Sequence, residues 1–158
     1  MLARLLRLHD RLTEAGFAAA AALIGAIVTA FCYEVAARYF FGAPTTWLHD
    51  FASYSLAAVI FLSVPAMSRR RMHIAITYLT DGLPERLRKV LAGAVLAAAA
   101  AACLAAAGIG AAESWRQYVR GVETISANPI PKWWVSVFIP YGFASSALYF
   151  LRNLFARA

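Results

Sequence analysis

The sequence predicts an all-α membrane protein with four transmembrane helices. Hydrophobic residues make up 62% of its 158 residues and charged residues only 15%, against roughly half and a quarter in ordinary soluble domains. Four long stretches contain no Asp, Glu, Lys, Arg or His. None of them alternates with the period of two that a membrane barrel strand requires.

The charge-free stretches are residues 15–33, 51–68, 90–112 and 133–151, with 19, 18, 23 and 19 residues. A helix needs about 20 residues to cross roughly 30 Å of hydrocarbon. Their wealth of Ala and Leu favours helix over strand. The expectation is one membrane domain over residues 1–158.

Before the first span, Leu2, Leu5, Leu6, His9 and Leu12 recur at helical spacing, while Arg4, Arg7, Arg11 and Glu14 lie elsewhere around the axis. Such a helix can lie in the membrane interface with its arginines drawn to anionic lipid, or dock onto another subunit. The span itself could be mistaken for a secretion signal, since arginines precede an apolar run that ends near Cys32. Its run exceeds the roughly 7 to 15 residues of a signal, and Phe31 spoils a small-residue cleavage site, so the span is expected to be retained.

The second span starts after Trp47, His49 and Asp50; a carboxylate there suits capping and the positive end of the helix dipole. It ends in Arg69-Arg70-Arg71, followed by the apolar-rich residues 73–79. Asp81 and Gly82 suit a turn, Pro84 the first position of a helix and Glu85 its positive end, which predicts a short interfacial helix before the third span. His73 follows three arginines and has no carboxylate, cysteine or second histidine nearby. It reads as a structural histidine, not a metal ligand.

In the third span an alanine run fills residues 97–102, with Gly93, Gly108 and Gly110 around it. Its strong apolar contributors, Val90, Leu91, Val95, Leu96, Leu104 and Ile109, supply only about −2 to −4 kcal/mol of insertion free energy. Gly93, Ala97 and Ala101, four residues apart, allow close backbone approach. This helix is expected to pack against protein on more than one side. The fourth span opens on Trp133-Trp134.

The basic residues are unevenly placed. Eleven of fifteen fall on one side: Arg4, Arg7, Arg11, Arg69, Arg70, Arg71, Arg86, Arg88, Lys89, Arg152 and Arg157. Arg38, Arg116, Arg120 and Lys132 fall on the other. Cytoplasmic loops carry the excess of Lys and Arg, so both termini and the middle loop are expected inside. Trp47, Trp115, Trp133 and Trp134 then lie at outer ends of spans, where indoles prefer the headgroup level. A net charge of +7 distributed in this way answers to a membrane and not to nucleic acid.

A chain that carries its own substrate needs polar or ionisable groups near the bilayer midplane. The four spans contain no acidic or basic residue. Glu34 comes nearest, about ten residues or roughly 15 Å beyond the middle of its span. Its spacing of four from Arg38 suits a pair along one helix face. Cys32 and Cys103 have neither metal nor redox spacing. With no nucleophile and base arrangement, metal spacing or phosphate loop, neither enzyme chemistry nor a cofactor is expected.

Several short features occur in a telling order: Trp47, Asp50 and Tyr54 at the start of the second span, then Val59-Ile60-Phe61-Leu62 and the basic cluster leading into His73-Ile74. Leu83-Pro84 precedes the third span, and Pro131, Trp133 and Ile139-Pro140-Tyr141-Gly142-Phe143 mark the fourth. Over nearly its whole length the chain resembles the small membrane subunit, DctQ type, of the tripartite ATP-independent periplasmic (TRAP) transporters. It departs from that pattern in having His49 before Asp50, Ser53 where Arg often precedes the tyrosine, and Thr77 where an Asp is expected.

The resemblance implies a place in the bacterial inner membrane beside a large elevator-type membrane subunit that moves the substrate on a sodium gradient. A periplasmic substrate-binding protein delivers that substrate, typically an organic acid. The small subunit would be a non-catalytic scaffold. In that frame Gly93, Ala97, Ala101, Trp47, Tyr54, Pro140 and Gly142 are candidates for packing on the large subunit. Arg38, Arg116, Arg120 and Lys132 are candidates for docking the binding protein, while Arg4, Arg7, Arg11, Arg69, Arg70 and Arg71 meet lipid. The alternative, a self-sufficient four-helix transporter working as a homodimer, needs a carboxylate within the first span, and Glu34 is too shallow.

Overall fold

The computed structural model describes residues 2–70, 84–125 and 129–155. Its elements in chain order are α1 (Leu2–Phe41), α2 (Leu48–Arg69), α3 (Glu85–Arg120), α4 (Trp133–Ser136) and α5 (Phe138–Phe155). Four helical segments are long and apolar enough to cross a membrane, with α4 and α5 together forming the fourth.

With 40 and 36 residues, α1 and α3 outrun their charge-free cores. At 1.5 Å per residue each reaches about 54 to 60 Å, nearly twice the hydrocarbon thickness. Nothing interrupts α1, since no proline occurs before Pro44. Residues 2–14 are therefore its first turns and not a separate helix. Residues 85–89 likewise belong to α3, with Pro84 at its N-cap and Glu85 in its first turn. Arg71, His73, the predicted turn at Asp81-Gly82 and Arg157 lie outside the described residues.

α3 ends where Gly121 turns left-handed at φ 60°, a conformation glycine adopts without a Cβ penalty. The Val122 N–H returns to the Gln117 carbonyl at 3.1 Å and the Gly121 N–H to Tyr118 at 3.2 Å. The fourth span differs from a single predicted helix: it breaks at Val137 between α4 and α5. Pro140 has no N–H to give the Ser136 carbonyl, which removes the bond that would bridge the break.

The helices run alternately up and down: Glu14 near the start of α1 meets Arg69 at the end of α2, Asp10 meets Arg152 near the end of α5, and Gly93 in the early part of α3 lies against Leu154, so these helix ends share one end of the bundle. They stand in a row, α1, α2, α5, α3, each contacting the next, with α4 wedged against α3, α5 and α2. α1 turns inward through Thr13, Gly16, Ala20, Leu23, Ile27, Ala30, Glu34 and Ala37. These steps of three and four residues give a period of 3.5, the repeat of helices that pack along a shared seam. α3 shows the same period through Leu96, Ala100, Cys103, Ala107, Gly110, Ser114 and Gln117.

Small residues dominate the buried set: Ala20, Ala37, Ala58, Ala66, Ala100, Ala107, Ala147, Ser55, Ser68, Ser145 and Ser146. Close backbone approach replaces the hydrophobic effect that lipid cannot supply. Hydroxyls inside the bundle return to their own helix: Ser63 donates to the Val59 carbonyl at 2.6 Å, Ser68 to Val64 at 3.0 Å and Ser146 to Gly142 at 2.7 Å. Each thereby satisfies a group that hydrocarbon would leave unpaired.

Candidate functional site

Polar side chains gather at the two ends of the bundle. At the end that carries the chain termini, Asp10 of α1 accepts from Arg152 of α5 at 2.6 and 3.4 Å and from the Tyr149 hydroxyl at 2.9 Å. The Tyr149 oxygen is also 2.9 Å from Thr13 Oγ1, and Thr13 donates back to the His9 carbonyl at 3.0 Å. His9 Nε2 lies 2.7 Å from Ser145 Oγ, while its Nδ1 is buried with no hydrogen-bond partner. A guanidinium bonded twice to one carboxylate fixes orientation as well as distance. This cluster ties the first turns of α1 to the last turns of α5.

Beside it, Arg69 at the end of α2 pairs with Glu14 at 2.8 Å, and the Arg70 guanidinium sits 4.9 Å above the Phe17 ring. These two lipid-interface candidates therefore already have partners in the chain. Arg4, Arg7 and Arg11 are exposed.

At the opposite end Glu34 has only 7% of its side chain exposed. One oxygen accepts from Arg38 at 2.6 Å; the other accepts from the Thr45 N–H at 2.8 Å and from the Thr45 hydroxyl. The carboxylate fastens the α1–α2 connection across its own helix end. Charge-assisted bonds of this kind are about twice as strong as neutral ones. Asp50 stands in the first turn of α2, where the dipole favours it, but the N-cap Trp47 makes no side-chain cap bond, and Asp50 Oδ2 is buried without a partner.

Between α3 and α4, Ser136 donates to Gln117 Oε1 at 2.7 Å. The connection after α3 closes on itself: Thr124 N–H reaches the Ile130 carbonyl at 2.9 Å and Lys132 N–H the Val122 carbonyl at 2.9 Å. Tyr118 and Trp133 meet edge to face at 5.4 Å beside Trp115 and Trp134. An apolar groove of about 490 Å³ runs past Leu23, Tyr54, Ile130, Trp133, Trp134 and Phe138.

The packing candidates divide. Gly142 is buried against the Phe61 backbone, and the Pro140 ring lies against Gly110, so both serve contacts within this chain. Gly93 has Leu154 as its nearest neighbour. Ala97 and Ala101 are exposed beside the seam that faces α5. Trp47 is exposed and meets Phe51 edge-on at 6.0 Å, while Tyr54 is half-buried in the groove.

Of the docking candidates, Arg38 is held by Glu34 and Arg116 by Glu113 at 3.2 Å. Arg120 and Lys132 are exposed and make no ion pair among the described residues. The sequence reading missed the Asp10, Tyr149 and Arg152 cluster. Its only trace was polar residues three apart in two distant segments, Asp10 with Thr13 and Tyr149 with Arg152, which become one face only once the helices are paired.

Among the described residues no three His, Cys, Asp or Glu side chains come together in a way that could hold a metal. Among the described residues Glu14 with Arg69 and Asp10 with Arg152 fasten one helix to another, Glu34 with Arg38, Glu85 with Lys89 and Glu113 with Arg116 pair along one helix, and all five pairs lie outside the charge-free stretches. No curated protein matches the chain. The family described as tripartite ATP-independent periplasmic transporters, DctQ component, matches residues 27–158. The match takes in the end of α1 and all of α2 to α5, the seam helices and both sides of the Glu34 clamp. The chain is thus a multi-pass membrane protein that belongs to the DctQ family, the small permease component of TRAP transporters.

Proposed function

We propose that this chain is the non-catalytic scaffold subunit of a sodium-driven, binding-protein-dependent importer of organic acids. It sits as one domain in the bacterial inner membrane with both termini in the cytoplasm. A large elevator-type subunit moves the substrate, and a periplasmic binding protein delivers it.

The observation that carries this reading is the open row of helices. Among the described residues the substantial contacts of α3 are with α5 and α4, and its Ala97 and Ala101 are exposed beside the seam. A helix with so modest an insertion energy and so many small residues gains little from lipid and much from a close protein neighbour. The surface proposed for the large subunit therefore centres on Ala97 and Ala101, with Gly93 at its edge and Trp47 and Tyr54 at the far end. Pro140 and Gly142 contribute indirectly by setting the spacing of α5.

The orientation rests on the excess of Lys and Arg on the terminal side. Arg4, Arg7 and Arg11 project from α1 into the cytoplasmic headgroup region. On the outer side Arg120 and Lys132 attract an acidic face of the binding protein, with Arg38 and Arg116 as lesser contributors because each already has a carboxylate partner. Charges at such a rim act chiefly on the rate of encounter.

Affinity purification of the tagged chain from its native membrane tests the reading. One large polytopic partner in stoichiometric amount is expected. Recovery of the chain only as a homodimer would overturn it.

A further inference from the structure

A cleft of about 410 Å³ opens between α1 and α2 at the end of the bundle that carries the termini, walled by Glu14, Phe17, Ala18, Ala66, Arg69 and Arg70. Its depth is set by the sequence. Glu14 immediately precedes the first charge-free stretch and Arg69 immediately follows the second. The cleft therefore lies where both helices leave the hydrocarbon, at the level of lipid phosphates.

Its charges form a pattern: two guanidinium groups and one carboxylate above an apolar floor. The Arg69 and Glu14 side chains remain 38% and 64% exposed in their ion pair. Such a pair contributes little to stability and yields readily to a third group. The Arg70 guanidinium, stacked on Phe17, makes no ion pair among the described residues. Planar guanidinium forks match the oxygens of a phosphate, and stacking on a ring holds such a fork in place while its edge stays free to donate.

We propose that this cleft seats one phospholipid with an ethanolamine headgroup, its phosphate held by Arg69 and Arg70 and its ammonium by Glu14. Phe17, Ala18 and Ala66 meet the glycerol and the first methylenes of the acyl chains. The carboxylate makes the choice of headgroup. An ammonium donates to it and balances its charge, a choline has no N–H to donate, and a phosphatidylglycerol, with the same phosphate, offers the carboxylate only neutral hydroxyls. The site depends on the membrane location of the chain and not on which leaflet the termini face or which subunits it joins.

Native mass spectrometry of the full chain, purified and delipidated in detergent and then supplied with phosphatidylethanolamine, phosphatidylcholine and phosphatidylglycerol in equal amounts, tests the proposal. The wild-type chain is expected to retain one phosphatidylethanolamine about tenfold better than phosphatidylcholine, the effect of one charge-assisted hydrogen bond. Arg70→Gln and Glu14→Gln are each expected to lower that retention by a similar factor, while Arg7→Gln, outside the cleft, leaves it unchanged. Equal retention of the three lipids, a preference for phosphatidylglycerol, or full retention by both cleft variants would overturn the proposal. The wild-type headgroup comparison decides by itself if the variants do not fold.

Discussion

Gly142 of α5 lies against the backbone of Phe61 in α2. A Cβ at that position would meet the Phe61 carbonyl oxygen at 2.6 Å and the Phe61 Cβ at 3.1 Å. Pro65 in the same helix has no N–H, so it cannot give that carbonyl its ordinary bond from four residues on. The glycine thus approaches a carbonyl left open by a proline, close enough for Cα–H···O contact. Two residues that weaken helices in isolation together set the spacing at which α2 and α5 pack.

Gly142→Ala should force the two helices apart. The expected loss is about 1–3 kcal/mol, the usual cost of overpacking a close contact, read as a lower thermal unfolding midpoint in detergent. Gly25→Ala is the control. Nothing lies within 4 Å of the added methyl there, and alanine is the better helix former, so the midpoint should hold or rise.

The tie between α1 and α5 makes a second prediction. Asp10→Ala leaves Arg152 and the Tyr149 hydroxyl without their shared acceptor and should destabilise the chain by about 1–3 kcal/mol. A double-mutant cycle with Arg152→Ala should return a coupling of about 0.5–3 kcal/mol. A coupling near zero would mean that the two side chains do not act together.

Thr45→Val removes the hydroxyl that reaches Glu34 but keeps the backbone N–H bond at 2.8 Å. Amide exchange across residues 42–47 should quicken about three- to tenfold, matching a loss of roughly 1 kcal/mol of local stability. Exchange in the first half of α1 should not change.

Ala97→Leu with Ala101→Leu separates packing within the chain from packing on a partner. Both alanines are exposed in the chain, so its own unfolding midpoint should move by less than about 0.5 kcal/mol. Recovery of the large subunit on co-purification should fall severalfold. Undiminished recovery would remove this face from the proposed interface.

Charge reversal at Arg120 and Lys132 should slow uptake when the binding protein is scarce and have little effect when it is abundant, because rim charges act on the rate of encounter. Reversal at Arg38 should do less to that rate, since Glu34 already engages it at 2.6 Å. It should instead loosen the α1–α2 connection, visible as faster exchange at Thr45.

The spans were legible because hydrocarbon excludes charge: each charge-free stretch lies within a helical segment long enough to cross a membrane. Helix ends at Gly42 and Gly121, with φ of 62° and 60°, carry a local signature too. The great length of α1 and α3 was less visible, because charge-based boundaries mark where lipid ends and not where hydrogen bonding ends. The break at Val137 had a signal in Pro140, but prolines within membrane helices are common enough that it did not stand out.

Pairings between segments far apart in sequence were not legible. His9 sits at a position that continues an apolar stripe, and only the antiparallel approach of α5 brings Ser145 to it at 2.7 Å. Gly142 belongs to a motif shared with the family, which suggested contact with the large subunit. The Phe61 backbone behind it gives that glycine a reason inside this chain. The Glu34 and Arg38 pair followed from spacing, whereas its third member Thr45 depends on how the chain turns after Gly42.

Solute uptake into proteoliposomes holding this chain alone, the large subunit alone, or both together tests the central claim most directly. Uptake of an organic acid driven by sodium and dependent on the binding protein is predicted only when both subunits are present, with this chain alone at the level of empty vesicles. Solute carried by this chain in the absence of any partner would contradict the account.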